Sequence, residues 1–132
     1  MKAEWLMSVA ELTAKNSYCK RSKVGAVLAK EERIIATGWN GTPSKWDNEC
    51  EENDTTNKAV IHAEANAILW SAKEGRETKG ATLFVTLSPC YECAKMIIQA
   101  GITEVIYLKA YRDTSPIKLL EKNNVTIRQF SY

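Results

Sequence analysis

The chain has a single histidine, and the spacing from it to a pair of cysteines constrains the fold more than any other feature. The histidine stands in His62-Ala63-Glu64, and Pro89-Cys90-Tyr91-Glu92-Cys93 follows after one apolar run, residues 81–87. An imidazole and two thiols are donors that zinc takes. Structural zinc sites close with four protein ligands, whereas catalytic ones keep a position for water. No second imidazole exists, so His62, Cys90 and Cys93 are the candidate ligands, and Glu64 is a carboxylate the metal does not need. Two cysteines three apart at the start of a helix lie on one face. His62 and Glu64, two apart, can serve one centre only in a first helical turn, where Cα–Cβ bonds tilt toward the N-terminus. The pattern therefore requires two helix N-termini to face one metal.

The rest of the chain supplies elements for such an arrangement. Residues 3–16 carry a helical apolar stripe at Trp5, Leu6, Val9 and Leu12. Residues 24–29 and 34–39 read as antiparallel strands across the charged turn 30–33. Asn40-Gly41-Thr42-Pro43 is strong turn chemistry. It opens a polar segment, residues 44–58, with little periodicity, and a loop that long in a compact domain is functional or mobile as a rule. A helix runs from His62 to about Ala72, a buried strand over 81–87, and a helix from Cys90 to about Ala100, closed by Gly101. Ser88-Pro89 reads as an N-cap followed by proline at the first helical position. A strand at 104–108, a helix at 115–122 and a strand at 125–128 complete the chain. Strands alternating with helices after residue 60 predict an α/β fold, a sheet with parallel members and helices on both faces.

Composition narrows the function classes. At 132 residues the expectation is one domain, residues 1–132, with a real core. A net charge of +2 is too small to argue for nucleic-acid binding from the global field. No signal-peptide core and no membrane-length apolar run is present, so the cytoplasm and no membrane partner are expected. Four cysteines in such a chain read as metal ligands and thiols, not as two disulfides.

Zinc acidifies a bound water, and a carboxylate beside it can take up the proton. His-x-Glu followed by Pro-Cys-x-x-Cys is the signature of zinc deaminases, in which the activated water attacks the amino-bearing ring carbon, the carboxylate moves the proton and ammonia leaves. Glu64 is the candidate for that carboxylate.

On these motifs, and on residues 23–27, 37–43, 62–68, 80–86, 89–95 and 99–102, the chain resembles the deoxycytidylate (dCMP) deaminases of the zinc-dependent cytidine deaminase superfamily, phage-type members included. The resemblance implies a three-layer α/β/α fold with a five-stranded mixed sheet, and conversion of dCMP to dUMP for dTTP synthesis. By position it makes His62, Cys90 and Cys93 zinc ligands and Glu64 the proton shuttle. Asn40, Tyr111, Ala63 and Ser88 become substrate contacts, with Arg21, Lys23 and Lys20 as cationic donors for a 5′-phosphate. It further implies a homohexamer activated by dCTP with Mg²⁺ and inhibited by dTTP, with an effector pocket near Gly38, Asn40, Gly41 and Lys73. Phage-type relatives have arginine where this chain has Lys73, and the two grip triphosphates differently. Some also hold a second, structural zinc on cysteines matching Cys19 and Cys50, with a histidine and a glutamate. Here no second histidine exists and Val60 stands at the glutamate position. Glu51, Glu52 or Asp54 are the possible substitutes, and free thiols are the expectation for Cys19 and Cys50.

The alternative is a deaminase acting on adenosine or cytosine within tRNA or other nucleic acid. The low net charge and the tail at residues 128–132, which offers no basic aromatic helix, argue against it. Histidine at position 62 argues against a free-nucleoside substrate, since nucleoside deaminases of the superfamily usually carry cysteine there. A catalytically dead regulatory subunit is disfavoured by the presence of Glu64.

Overall fold

The alternation of β-rich and helical runs is realised, in a computed structural model describing residues 2–47, 49–52 and 55–132, as one five-stranded sheet between two helical layers. The elements are α1 (Ala3–Ala14), β1 (Gly25–Lys30), β2 (Arg33–Trp39), β3 (Glu51–Glu52), β4 (Thr55–Thr56), α2 (Ala63–Lys73), β5 (Thr82–Leu87), α3 (Tyr91–Gln99), β6 (Glu104–Lys109), α4 (Ser115–Lys122) and β7 (Thr126–Gln129). The sheet order is β2-β1-β5-β6-β7. β1 runs antiparallel to β2 and β5, and β5, β6 and β7 run parallel. The mixed sheet and its flanking helices match the sequence expectation.

Two apolar layers hold it together. On one face Leu6, Met7 and Ala10 of α1 pack against Val27, Ala29, Phe84 and Ile106. On the other, Ala63 and Ala67 of α2, Ala94 and Ile97 of α3 and Leu120 of α4 cover Leu28, Leu83, Val85 and Val105. Central strands carry apolar residues toward both faces, which is why residues 25–29 are buried without alternation. Two glycines admit the helices at closest approach. A Cβ on Gly25 would overlap the backbone of Ala10 and Ala14 in α1, and one on Gly38 that of Ala63 and Ala67 in α2.

The topology gathers four chain segments at one edge of the sheet. Because β1 is antiparallel to β5, the start of β1 at Val24, the end of β2 at Asn40 and the end of β5 at Leu87 all meet there, with Tyr111 beyond the end of β6. The Gly25 N–H donates to Thr86 Oγ1 (3.1 Å) and the Ser88 N–H to the Lys109 carbonyl (2.8 Å), joining these ends. The carboxyl ends of parallel strands are where open α/β sheets place ligands.

Three expectations are corrected. First, α3 begins at Tyr91 with Cys90 at its N-cap, so Ser88 and Pro89 precede the cap. Ser88 instead extends the sheet edge, bonding to Lys109 and accepting the Tyr111 N–H at 2.8 Å on its Oγ. Second, residues 44–58 include the two-residue strands of an antiparallel hairpin, Glu51 opposite Thr56 and Glu52 opposite Thr55. Strands that short leave no periodic signal. Third, Cys19 and Cys50 form a disulfide and are not free thiols. They lie 31 positions apart in two loops, a pairing that local spacing does not disclose.

Candidate zinc centre and substrate cavity

The two helix N-termini converge as the spacing requires. His62 is the N-cap residue of α2 and Cys90 that of α3, both with extended backbone, and Cys93 lies in the first turn of α3. His62 Nδ1 stands 3.4 Å from the Sγ of Cys90 and 3.4 Å from that of Cys93. Tetrahedral zinc with ordinary Zn–S and Zn–N lengths puts its donor atoms about 3.5 Å apart, which the two sulfur–nitrogen distances match, and all three donors lie within 4.8 Å of one another. Cys93 is buried, Cys90 partly so and His62 exposed, so the donor cluster borders both the interior and the adjoining cavity.

The electrostatics suit a cation. Cys90 is pulled down to about 4, chiefly by hydrogen bonding from Cys93 and then from His62, while Cys93, as that donor and by burial, is driven up. The cluster thus holds an anionic sulfur at a helix N-terminus, where the dipole favours negative charge. Glu64, in the first turn of α2 and 5% exposed, is pushed up to about 7, chiefly by burial. A carboxyl group so placed exchanges a proton readily near neutral pH.

A cavity of about 110 Å³ opens from this cluster, with Arg21, Val24, Asn40, His62, Ala63, Glu64, Ser88 and Tyr111 in its wall. All of these but Val24 are residues that the sequence assigned to the centre or its substrate pocket. Lys20 and Lys23 are not in that wall. Lys23 is exposed outside that wall. The Lys20 N–H bonds to Glu51 Oε1 (3.1 Å). Cys90 also lines the cavity, and Glu51 and Thr56 of the hairpin, with Cys19, Ser22, Val60 and Leu87, complete the wall; the sequence reading did not place these six there. The one available hint was the polarity and length of residues 44–58.

Asn40 braces this wall. Its Oδ1 accepts the Val24 N–H (2.9 Å), its Nδ2 donates to the Ser22 carbonyl (2.8 Å), and its own carbonyl accepts the Ser17 hydroxyl (2.8 Å). The next residue, Gly41, exchanges two backbone hydrogen bonds with Ile61 (3.1 and 2.8 Å), immediately before His62. On the far side of Asn40 lies a groove of about 490 Å³ that includes Gly38, Gly41, Cys50, Asn66 and Trp70. Lys73 is not in its lining, and its ammonium sits 5.0 Å above the Trp70 ring.

A mixed sheet presenting an imidazole, two thiols and a buried carboxylate at two helix N-termini defines a zinc-centre protein of the deaminase type. The chain belongs to the cytidine and deoxycytidylate deaminase family, whose zinc-binding region matches residues 1–109. It is 34% identical to the deoxycytidylate deaminase of Enterobacteria phage T4, over 88% of this chain and 82% of that protein. It is 38% identical to the deoxycytidylate deaminase of Saccharomyces cerevisiae over its whole length, where it spans 46% of the longer yeast protein. A crystal structure of the cyanophage S-TIM5 dCMP deaminase with dCMP and dUMP superposes with a TM-score of 0.93 and 46% identity, covering 96% of this chain and 95% of that one.

Proposed function

We propose that this protein hydrolyses the exocyclic amino group of dCMP, giving dUMP and ammonia. The observation that carries the reading is Glu64, buried beside three zinc donors at the mouth of a cavity whose wall also holds Asn40, Ser88 and Tyr111. His62, Cys90 and Cys93 would hold the zinc, which supplies an acidified water and a Lewis acid for attack on the amino-bearing carbon. Glu64 takes the water's proton and delivers it to the ring nitrogen next to that carbon. Ala63 and Ser88 bound the base. Asn40, with a second N–H on its amide, meets the sugar, and Tyr111 closes over the nucleotide. Arg21 at the rim is the cation for the 5′-phosphate. The high identity to a structure that holds dCMP and dUMP supports this substrate over a nucleic acid.

Turnover measured side by side on dCMP, deoxycytidine, CMP and a tRNA anticodon arm tests the assignment. dCMP is expected to be strongly preferred, and faster turnover of the tRNA arm or of deoxycytidine would overturn it. The groove beyond Asn40 supports an effector site for dCTP with Mg²⁺ or for dTTP, to which Lys73 contributes through Trp70. In that case dCTP with Mg²⁺ shifts the dCMP saturation curve to lower concentration, and an unmoved curve removes the effector site. Exposed Leu69 and Trp70 on α2 support self-association, with a hexamer as the assembly we favour. Light scattering of a monomer at assay concentration would exclude it. No helix among the described residues is long and apolar enough to cross a membrane, and we take the cytoplasm as the working compartment.

A further inference from the structure

The Cys19–Cys50 disulfide is used by nothing in the deaminase chemistry, yet it lies at the partition between the two cavities. Cys19 is in the wall of the substrate cavity, Cys50 is in the wall of the groove, and Asn40 touches both. Each end is tied to a functional element. The Cys19 N–H donates to Ser17 Oγ (3.1 Å), whose hydroxyl donates to the Asn40 carbonyl. The Cys50 carbonyl accepts the Asn57 N–H (2.6 Å), which closes the base of the hairpin carrying Glu51 and Thr56. Without the disulfide the hairpin is anchored mainly by polar contacts. They are the Lys20 N–H to Glu51, the Asn57 side chain to the Glu49 carbonyl (3.0 Å), and its own short ladder. Neither short strand contributes to the apolar core layers. A segment with so few buried contacts opens at low free-energy cost.

We propose that this disulfide is a redox-controlled strap, which holds the hairpin as a wall of the substrate cavity when oxidised and releases it when reduced. The inference rests on the dCMP reading for its kinetic readout and on the geometry alone for the rest. The reductant is a dithiol, small or protein-borne. One of its thiolates attacks a strap sulfur and the S–S bond breaks. The mixed disulfide is then resolved by the second thiol, leaving Cys19 and Cys50 as thiols and the reductant as a disulfide. Both cysteines are nearly fully buried, so attack requires the hairpin to open first, and a nucleotide in the cavity should slow it. In a reducing compartment a disulfide of this kind is transient and sensing more often than structural.

The test uses the zinc-loaded full chain, oxidised or treated with a phosphine reductant, with the state of Cys19 and Cys50 read by alkylation and mass spectrometry. Reduction is expected to raise the KM for dCMP by roughly tenfold, a size set by having to re-order a few wall side chains, while kcat stays within about twofold. Amide exchange in residues 50–52 and 55–57 should speed up, and dCMP should slow the reduction. Cys50→Ala should behave as the reduced protein with or without phosphine. Equal KM and equal exchange in the two states would overturn the strap. So would a reduced protein that takes up a second tightly held zinc while the hairpin stays protected, because the thiols would then be metal ligands. Absence of dCMP turnover in both states defeats the substrate reading alone, and the exchange rates then decide the strap.

Discussion

The molecule contains two cysteine pairs with opposite fates. Cys90 and Cys93 stand three positions apart in one helical turn, face an imidazole at 3.4 Å and have Glu64 behind them. Cys19 and Cys50 stand 31 positions apart in two loops, have no imidazole, and bond to each other. A helix N-terminus stabilises a thiolate, and the imidazole adds a third donor beside the two sulfurs, so the first pair suits a cation. The second pair joins two loops that are otherwise held by polar contacts. Residue type is therefore a weak guide to cysteine chemistry, and local backbone geometry is the stronger one.

Changes at the first pair should be the most damaging. Cys93→Ser replaces a buried sulfur donor, and we expect bound zinc, about one per chain, to fall below detection by metal analysis together with turnover. Retained zinc in that variant would break the comparison, since the helix pair would then not be the metal's holder. Glu64→Gln keeps the shape of the site and removes the proton carrier. It should lower kcat by about 10²–10⁴-fold with zinc content unchanged, the range for general acid–base groups. A variant within tenfold of wild type would take Glu64 out of proton transfer.

How much was legible follows the same division. The metal donors, Glu64, the order of the main elements and the mixed sheet could be read because each depends on short spacings, three residues for Cys90 and Cys93 and two for His62 and Glu64, or on apolar runs. Asn40 and Tyr111 were placed by resemblance, and the structure puts both in the cavity wall. The hairpin at Glu51–Thr56 was not legible, because two-residue strands have no period to detect. Nor was the disulfide, because its partners meet only through the packing of two loops against the Asn40 turn. Lys23 was assigned to the phosphate with Arg21 by resemblance, and the structure leaves it exposed outside the cavity wall.

The second pair should have smaller, state-dependent effects. A cross-link closing a 31-residue loop restricts the unfolded chain by about 3–4 kcal/mol in the loop-entropy account. Cys50→Ala should therefore lower denaturant stability by up to that amount in oxidised protein and by much less in reduced protein. An equal loss in both states would mean that Cys50 acts through packing, and the contrast between the pairs would weaken.

The smallest expected effect returns to the metal side. Ser88 is 2% exposed, and its hydroxyl oxygen accepts the Tyr111 N–H at 2.8 Å, tying the end of β5 to the loop after β6. Ser88→Ala removes that acceptor where water has little access, a cost of about 1–3 kcal/mol for an orphaned donor. Part of the cost falls on the placement of Tyr111 over the cavity, so KM for dCMP should rise several-fold while zinc content holds. The discriminating readout is redox state. Ser88 belongs to the zinc-side half of the site, at the end of β5, so the Ser88→Ala effect should be equal in oxidised and reduced protein. A Ser88→Ala effect that vanished on reduction would mean that the Tyr111 loop and the Cys19–Cys50 hairpin move as one unit, and that the two halves of the cavity are not independent.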